Sequence, residues 1–361
     1  MNKKPILIIL LLAGMNCYAQ NIFKKADSIR IKDEIPEMAY AVITPDKIID
    51  EQYLGYHKIG EFTTKDTARK TDYFHLGSNT KAITGFIAAY IVENHKIKWS
   101  TKIFDLFPQW KNFADSTYYK VTLQDLLSHR ARIQPYTSAL EYQELPNFKG
   151  SRAKQREQFA AYLLREKPVA VKENVIYNYS NAGYSIAAAM LEKATGSTWE
   201  QLVEDVMNAK LHLNVRFGWP NKSSTDEPWG HWVENNKLTP VPGTTSYNLN
   251  LAEPAGDISM TLPDYIKLTQ LHLIGLSGTD NILKSDTYNF LHYGLKGYAI
   301  GWGNNIKGDI KLSDHSGSAG TYYCYALFDG VKNKAYVIMI NSATDKAQKG
   351  LFELLAILRK Q

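Results

Sequence analysis

The chain has 361 residues, 44% of them hydrophobic and 22% charged, with a formal net charge of +6. That is ample for a sizeable core in one large domain or two, and it excludes low-complexity and disordered classes. The charge is too mild to suggest nucleic acid or a strongly anionic surface as a partner. The chain opens with "MNKKPILIILLLAGMNCYAQ". A positive start, an apolar run and small residues at Cys17 and Ala19 predict a signal peptide over 1–19. The apolar run is short for a membrane span, and Cys17 follows Asn16 rather than the small residue that lipidation needs. The expected location is periplasmic or secreted, with no membrane span after cleavage. Only Cys324 then remains, so no disulfide forms within the mature chain. Its setting, "TYYCYALF", suggests a buried small hydrophobe.

Beyond the leader, "AYAVIT" and "IIDEQYLGYHK" flank the turn "PDK" and predict a hairpin. Helices dominate the middle. "STWE", Ser197 to Glu200, reads as a capping box, and Gly196 ends the helix before it. "TLPDYIKLTQLHLIG" predicts a helix capped by Thr261 and ended by Gly275. Strands return in "GYAIGWG", "GTYYCYALFDG" and "KAYVIMIN", the last two joined by a turn at Asp329 and Gly330. "KGLFELLAIL" closes the chain as an amphipathic helix. The order predicts an α+β fold: an antiparallel sheet built from both termini and flanked by helices, with a mostly helical insertion. In residue numbers this is one domain over 20–361, with a sheet region of about 36–75 plus 285–361 and a helical region of about 76–284. A site would lie in the cleft between sheet and insertion.

Three short stretches carry chemistry. S-x-x-K occurs twice, at Ser78/Lys81 and Ser151/Lys154. The second lies in the hydrophilic "KGSRAKQREQ" and reads as a solvated face. The first precedes "GFIAAYIV", apolar all round, which marks a buried helix. Positions i and i+3 share a helix face, so Ser78 and Lys81 are neighbours. An ammonium there loses hydration, which favours the neutral amine, and a neutral amine can take a hydroxyl proton. Alone, this is equally a cap serine and a snorkelling lysine. "NYSNAGYS" adds Tyr179-Ser180-Asn181 ahead of an apolar helix, and "LSDHSGSAG" adds His315-Ser316-Gly317 entering a strand.

In this order the three motifs resemble those of the serine β-lactamase and penicillin-binding protein superfamily, most closely its class C β-lactamase branch. That branch includes D-alanyl-D-alanine carboxypeptidases, D-aminopeptidases and related esterases. The resemblance covers roughly residues 36 to 345, with softer matches in "VTLQDLLSH", "EPAGDISMTLPDY" and "YAIGWG". It implies a β-lactamase/transpeptidase-like fold. It also implies a serine hydrolase that forms an acyl-enzyme on an amide or ester without metal or cofactor. Ser78 would be the nucleophile. Lys81 and Tyr179 would share the base work, with Tyr179 as the proton acceptor of this branch. Asn181, His315, Ser316 and Gly317 would bind substrate, and the backbone amides of Ser78 and Ser318 would form the oxyanion hole.

Two features depart from the pattern. Most class C β-lactamases have lysine where this chain has His315, and histidine is largely neutral above pH 6.5. This shifts the expected substrate from β-lactams towards D-amino-acid peptides, peptidoglycan-derived ones among them, or small esters. Second, "LLSH" continues as Arg130-Ala131-Arg132-Ile133 rather than with a small residue and glycine. This puts the shape of that loop in doubt. The following "YTSALEYQELPNF", Tyr136 to Phe148, reads equally as pocket wall and as packed surface loop. A class C-like β-lactamase and a catalytically inactive binding or sensor protein of the same fold are the alternatives. No G-x-S-x-G elbow is present, and the nine histidines are dispersed, so no metal is expected.

Overall fold

The computed structural model describes residues 21–361, apart from 171, 223 and 245–248. The predicted signal peptide lies outside the described residues. Eleven strands follow one another among these residues. They are β1 (Glu37–Ile43), β2 (Ile48–Gly55), β3 (Tyr73–His75), β4 (Arg216–Phe217), β5 (Gly230–Glu234), β6 (Lys237–Val241), β7 (Ile258–Thr261), β8 (Gly303–Lys307), β9 (Ile310–Ser318), β10 (Tyr323–Asp329) and β11 (Lys334–Ile340). Six form one antiparallel sheet in the order β2-β1-β11-β10-β9-β8, so the two ends of the chain meet where β1 pairs with β11. β3, β7 and β4 form a small second sheet, and β5–β6 is a separate hairpin.

β1 is buried along its whole length because both faces of the sheet are covered. Alternation sorts its side chains. Ala39, Ala41 and Ile43 join the core shared with the middle helices, as do Cys324 and Ala326 of β10. Met38, Tyr40 and Val42 face a second core, closed by the helix 21–32 and the C-terminal helix Asp345–Leu358. Small residues on the inner face let the helical layer approach closely. Cys324 is buried and free, as its setting suggested. Among the described residues no helix is long and apolar enough to cross a membrane.

The β1–β2 hairpin, the β10–β11 turn, the Thr261 cap and the Gly196 stop lie where the sequence places them. Three expectations shift. The capping box uses Thr198 and Gln201, not Ser197 and Glu200; Glu200 instead meets the buried Arg156. The helix from Leu262 runs on to Leu276, and Gly275 lies inside it, where a side chain would collide with the Tyr288 ring. "GYAIGWG" is a loop closed by a Tyr298–Gly303 bridge, because Gly297 and Gly301 both take φ of +78°.

Candidate functional site

The site forms where the sheet meets the helical layer. A 3-10 turn, Gly77–Asn79, leads into the helix Thr80–Glu93, which is buried on nearly every side. The turn is pinned from several directions. Asn79 Nδ2 donates to the carbonyl of Cys324 on β10 at 3.0 Å. The amide of Ile258 donates to Thr80 Oγ1 at 3.1 Å. One helical turn on, Thr84 Oγ1 donates to the carbonyl of Pro254 at 2.7 Å.

Lys81 is fully buried, and burial holds its ammonium form well below the usual lysine range. Its Nζ has three oxygen neighbours: Ser78 Oγ at 3.1 Å, Asn181 Oδ1 at 2.7 Å and the carbonyl of Ala255 at 2.9 Å. The last two can only accept. A neutral amine has two N–H groups, which these two acceptors use. Its lone pair is then left facing the Ser78 hydroxyl. The same contacts orient Asn181, since Oδ1 must face Lys81 while Nδ2 donates to the carbonyl of Tyr136 at 3.0 Å.

Asn181 opens the helix Asn181–Thr195, capped by Ser180, whose Oγ accepts from the Gly183 amide at 2.9 Å. Tyr179 precedes the cap. Its ring lies under Lys81 Nζ, 4.6 Å from the centroid, and its hydroxyl is near enough to Ser78 for that side chain to favour its ionised form slightly. Burial raises the phenol well above its ordinary value despite that contact.

β9 supplies the opposite wall. Gly77, at φ +51°, and Gly317 meet backbone to backbone. A Cβ on Gly317 would overlap the Leu76 carbonyl and lie 2.8 Å from the Ser78 amide nitrogen; one on Gly77 would overlap the Ser318 amide nitrogen. The contact therefore brings the backbone amides of Ser78 and Ser318 to one notch, the arrangement an oxyanion needs. His315 is buried, with its ring 6.4 Å from that of Tyr179. Its Nδ1 lies 2.6 Å from the Ser316 carbonyl and so carries the proton, leaving Nε2 to accept from Tyr298 Oη at 3.0 Å. Burial pushes its pKa down to about 3, so the imidazole is neutral at working pH. The side chain of Ser316 faces solvent. Of the other predicted site residues, Lys81 meets Ser78 directly, Asn181 meets Lys81, Gly317 and Ser318 pack on the 76–79 turn, and His315 stands beside the Tyr179 ring.

The loop after "LLSH" also has a definite shape. His129, Arg132 and Tyr136 all take positive φ. The Arg130 guanidinium donates to the carbonyls of Ser128, Tyr298 and Lys296 at 2.9, 2.7 and 2.7 Å, tying the loop to the segment that carries Tyr298. Tyr136 to Phe148 does line a cleft, of about 610 Å³, which Asn181 borders.

The motifs did not single out four contributors. They are Gly77, the Ala255 carbonyl, Tyr298 and His129. His129 Nδ1 accepts from the Ser180 amide at 3.1 Å, and its ring packs 4.4 Å from that of Tyr179. The glycine immediately before Ser78 and the softer matches "EPAG", "YAIGWG" and "LLSH" were their visible traces. Ser151/Lys154 is the surface helix cap its composition suggested, with Lys154 paired to Glu157. The cluster of possible metal ligands among the described residues is Glu37, His57 and Asp72, within 4.8 Å of one another and sharing no residue with this site. Arg69 Nε already donates to Asp72 there at 3.3 Å.

Comparison with known proteins agrees with this fold. Residues 20–358 match the family model described as Beta-lactamase. The chain is 19% identical over 323 residues to Protein flp of Staphylococcus aureus (strain NCTC 8325 / PS 47), covering 88% of this chain and 62% of the relative. It therefore spans under two thirds of that protein's length. It is 21% identical to Penicillin-binding protein 4 of Amycolatopsis lactamdurans, covering 84% of this chain and 80% of the relative. The octameric penicillin-binding protein homologue from Pyrococcus abyssi superposes with a TM-score of 0.72 at 17% identity, over 94% of this chain and 77% of that one.

Proposed function

Because this chain belongs to the Beta-lactamase family, we propose that it is a serine hydrolase that opens an amide or ester through an acyl-enzyme on Ser78. The observation that carries this is the placement of the buried Lys81 Nζ against Ser78 Oγ, Asn181 Oδ1 and the Ala255 carbonyl; burial favours its neutral form, in which the two obligate acceptors take the N–H groups and the lone pair meets the Ser78 hydroxyl. Lys81 Nζ takes the Oγ proton as Oγ bonds to the carbonyl carbon. The oxyanion accepts from the amides of Ser78 and Ser318. Collapse breaks the bond to the leaving nitrogen or oxygen, which takes the proton from Lys81 by way of the Tyr179 hydroxyl. Water then attacks the ester, giving its proton to the same pair, and the acid leaves as Ser78 regains its hydrogen. Tyr179 is a relay rather than the first acceptor, because burial keeps its phenol protonated. The neutral His315 favours a D-amino-acid peptide or small ester over a β-lactam, since it offers no fixed charge for a carboxylate. A periplasmic or secreted setting fits such a substrate.

Intact-mass measurement after incubation with a penicillin and, separately, 4-nitrophenyl acetate tests the assignment. An adduct or turnover on wild type that is lost in Ser78→Ala is the expected result. Lys81→Ala should lower acylation about 10²–10⁴-fold. Near-normal rates in either variant would overturn the roles of Ser78 and Lys81.

A further inference from the structure

Resting on that reading, we infer that the acyl group of the substrate is uncharged and bulky, with an aromatic or aliphatic body, and that it sits in the cleft between the 136–148 segment, residues 249–252 and Trp232 of β5. The cleft has a volume of about 610 Å³ and reaches the site through Asn181. Its walls mix aromatic residues such as Tyr136, Phe148 and Trp232 with neutral polar ones such as Asn147, Gln155 and Asn181 in about equal measure, and no lysine, arginine, histidine, aspartate or glutamate lines it among the described residues. Such a surface gains from covering apolar area and has nothing to compensate a buried charge. The loop is held in shape rather than left to drift. Glu141 accepts from the amides of Tyr136, Thr137 and Ser138 at 3.0, 2.7 and 2.7 Å. Its carboxylate adds negative charge behind that wall.

Cations beside the serine are also spoken for. Lys81 Nζ is already engaged by Asn181 and Ala255 and buried where a charge is disfavoured, Arg130 is bound to three carbonyls, and burial disfavours a charge on His315. Of these groups only the Arg130 guanidinium keeps a charge, and its N–H groups are committed to the carbonyls of Ser128, Tyr298 and Lys296 rather than to a substrate carboxylate. The acyl part is assigned to the cleft because it stays on Ser78 through both half-reactions, whereas the leaving group must depart to solvent.

Two series test this. The first measures binding to the Ser78→Ala protein by calorimetry, so that no chemistry is needed. 3-Phenylpropanamide is expected to bind at least ten-fold more tightly than succinamate. The second compares wild-type kcat/KM for 4-nitrophenyl acetate, butyrate, 3-phenylpropanoate and hemisuccinate, with Ser78→Ala as background. The phenylpropanoate is expected to exceed the acetate at least ten-fold and the hemisuccinate at least a hundred-fold. Trp232, 42% exposed on its hairpin, can be changed without disturbing a core. Trp232→Lys should narrow the gap between neutral and anionic acyl groups at least ten-fold. Turnover on Ser78 with no dependence on the acyl group, or with hemisuccinate preferred, would overturn the cleft assignment and leave the hydrolase standing. Selective binding to Ser78→Ala without any turnover in wild type would do the reverse. Equal binding of the two amides would sink the cleft whatever the kinetics.

Discussion

Glu37 begins β1 fully buried, with neither carboxyl oxygen hydrogen-bonded, facing His57 and Asp72. Burial and the Asp72 charge raise its pKa well above 4.5. In the unfolded chain it titrates near its ordinary value. Between that value and the raised one, the folded state therefore binds the extra proton, and stability falls as pH rises. Glu37→Gln keeps the shape without the charge. Its melting temperature should exceed that of wild type at pH 8, and the difference should shrink towards pH 4.5. An equal difference at both ends would show that Glu37 does not hold a proton in the fold. The lesson from Lys81 is similar. That a lysine sits at the mouth of a buried helix is plain from the sequence; that its two N–H groups go to Asn181 and Ala255 is not, because those partners lie 100 and 174 residues away.

At the scale of elements, the site depends on a contact between the Gly77–Asn79 turn and the end of β9. The "H-S-G" motif marks Gly317 as important, but the partner that forbids a side chain there is the 76–79 backbone. Gly317→Ala should push β9 from the turn and misplace one oxyanion donor. We expect kcat/KM to fall about 10²–10³-fold with the folded circular dichroism spectrum retained and the melting temperature lowered, since backbone atoms at the Leu76 carbonyl must shift to make room. Wild-type kinetics in that variant would mean that the notch does not form. Where the sequence misplaced an element, a tertiary contact outweighed a local signal. Gly275 reads as a stop, yet it lets Tyr288 pack against a continuing helix. The apolar "GYAIGWG" reads as a strand, yet its glycines bend it round the Lys81–Ala82 backbone.

Over the whole molecule, the sheet is closed by elements far apart in the chain. The C-terminal helix places Leu351, Leu354, Leu355 and Leu358 against Tyr336, Ile338 and Ile340 of β11. At about 1.5–3 kcal/mol for each buried leucine, this is on the order of 10 kcal/mol. That is comparable with the entire stability of a typical domain, about 5–15 kcal/mol. Deleting residues 345–361 is therefore expected to unfold the serine site as well as the sheet. Loss of the folded circular dichroism spectrum and of ester hydrolysis together would bear this out; a folded, active truncation would refute it. The motif order, the hairpins, the buried helix behind Ser78 and the α+β layout were legible in the sequence, because each depends on periodicity or on residues close in the chain. Only the tertiary structure decided three things: which distant groups enclose Lys81 Nζ and His315, the close approach of the 76–79 turn to Gly317, and the uncharged cleft beside Asn181. Each depends on which distant groups exclude water from a given atom, and that exclusion exists only once the sheet and the helical layer have closed on one another.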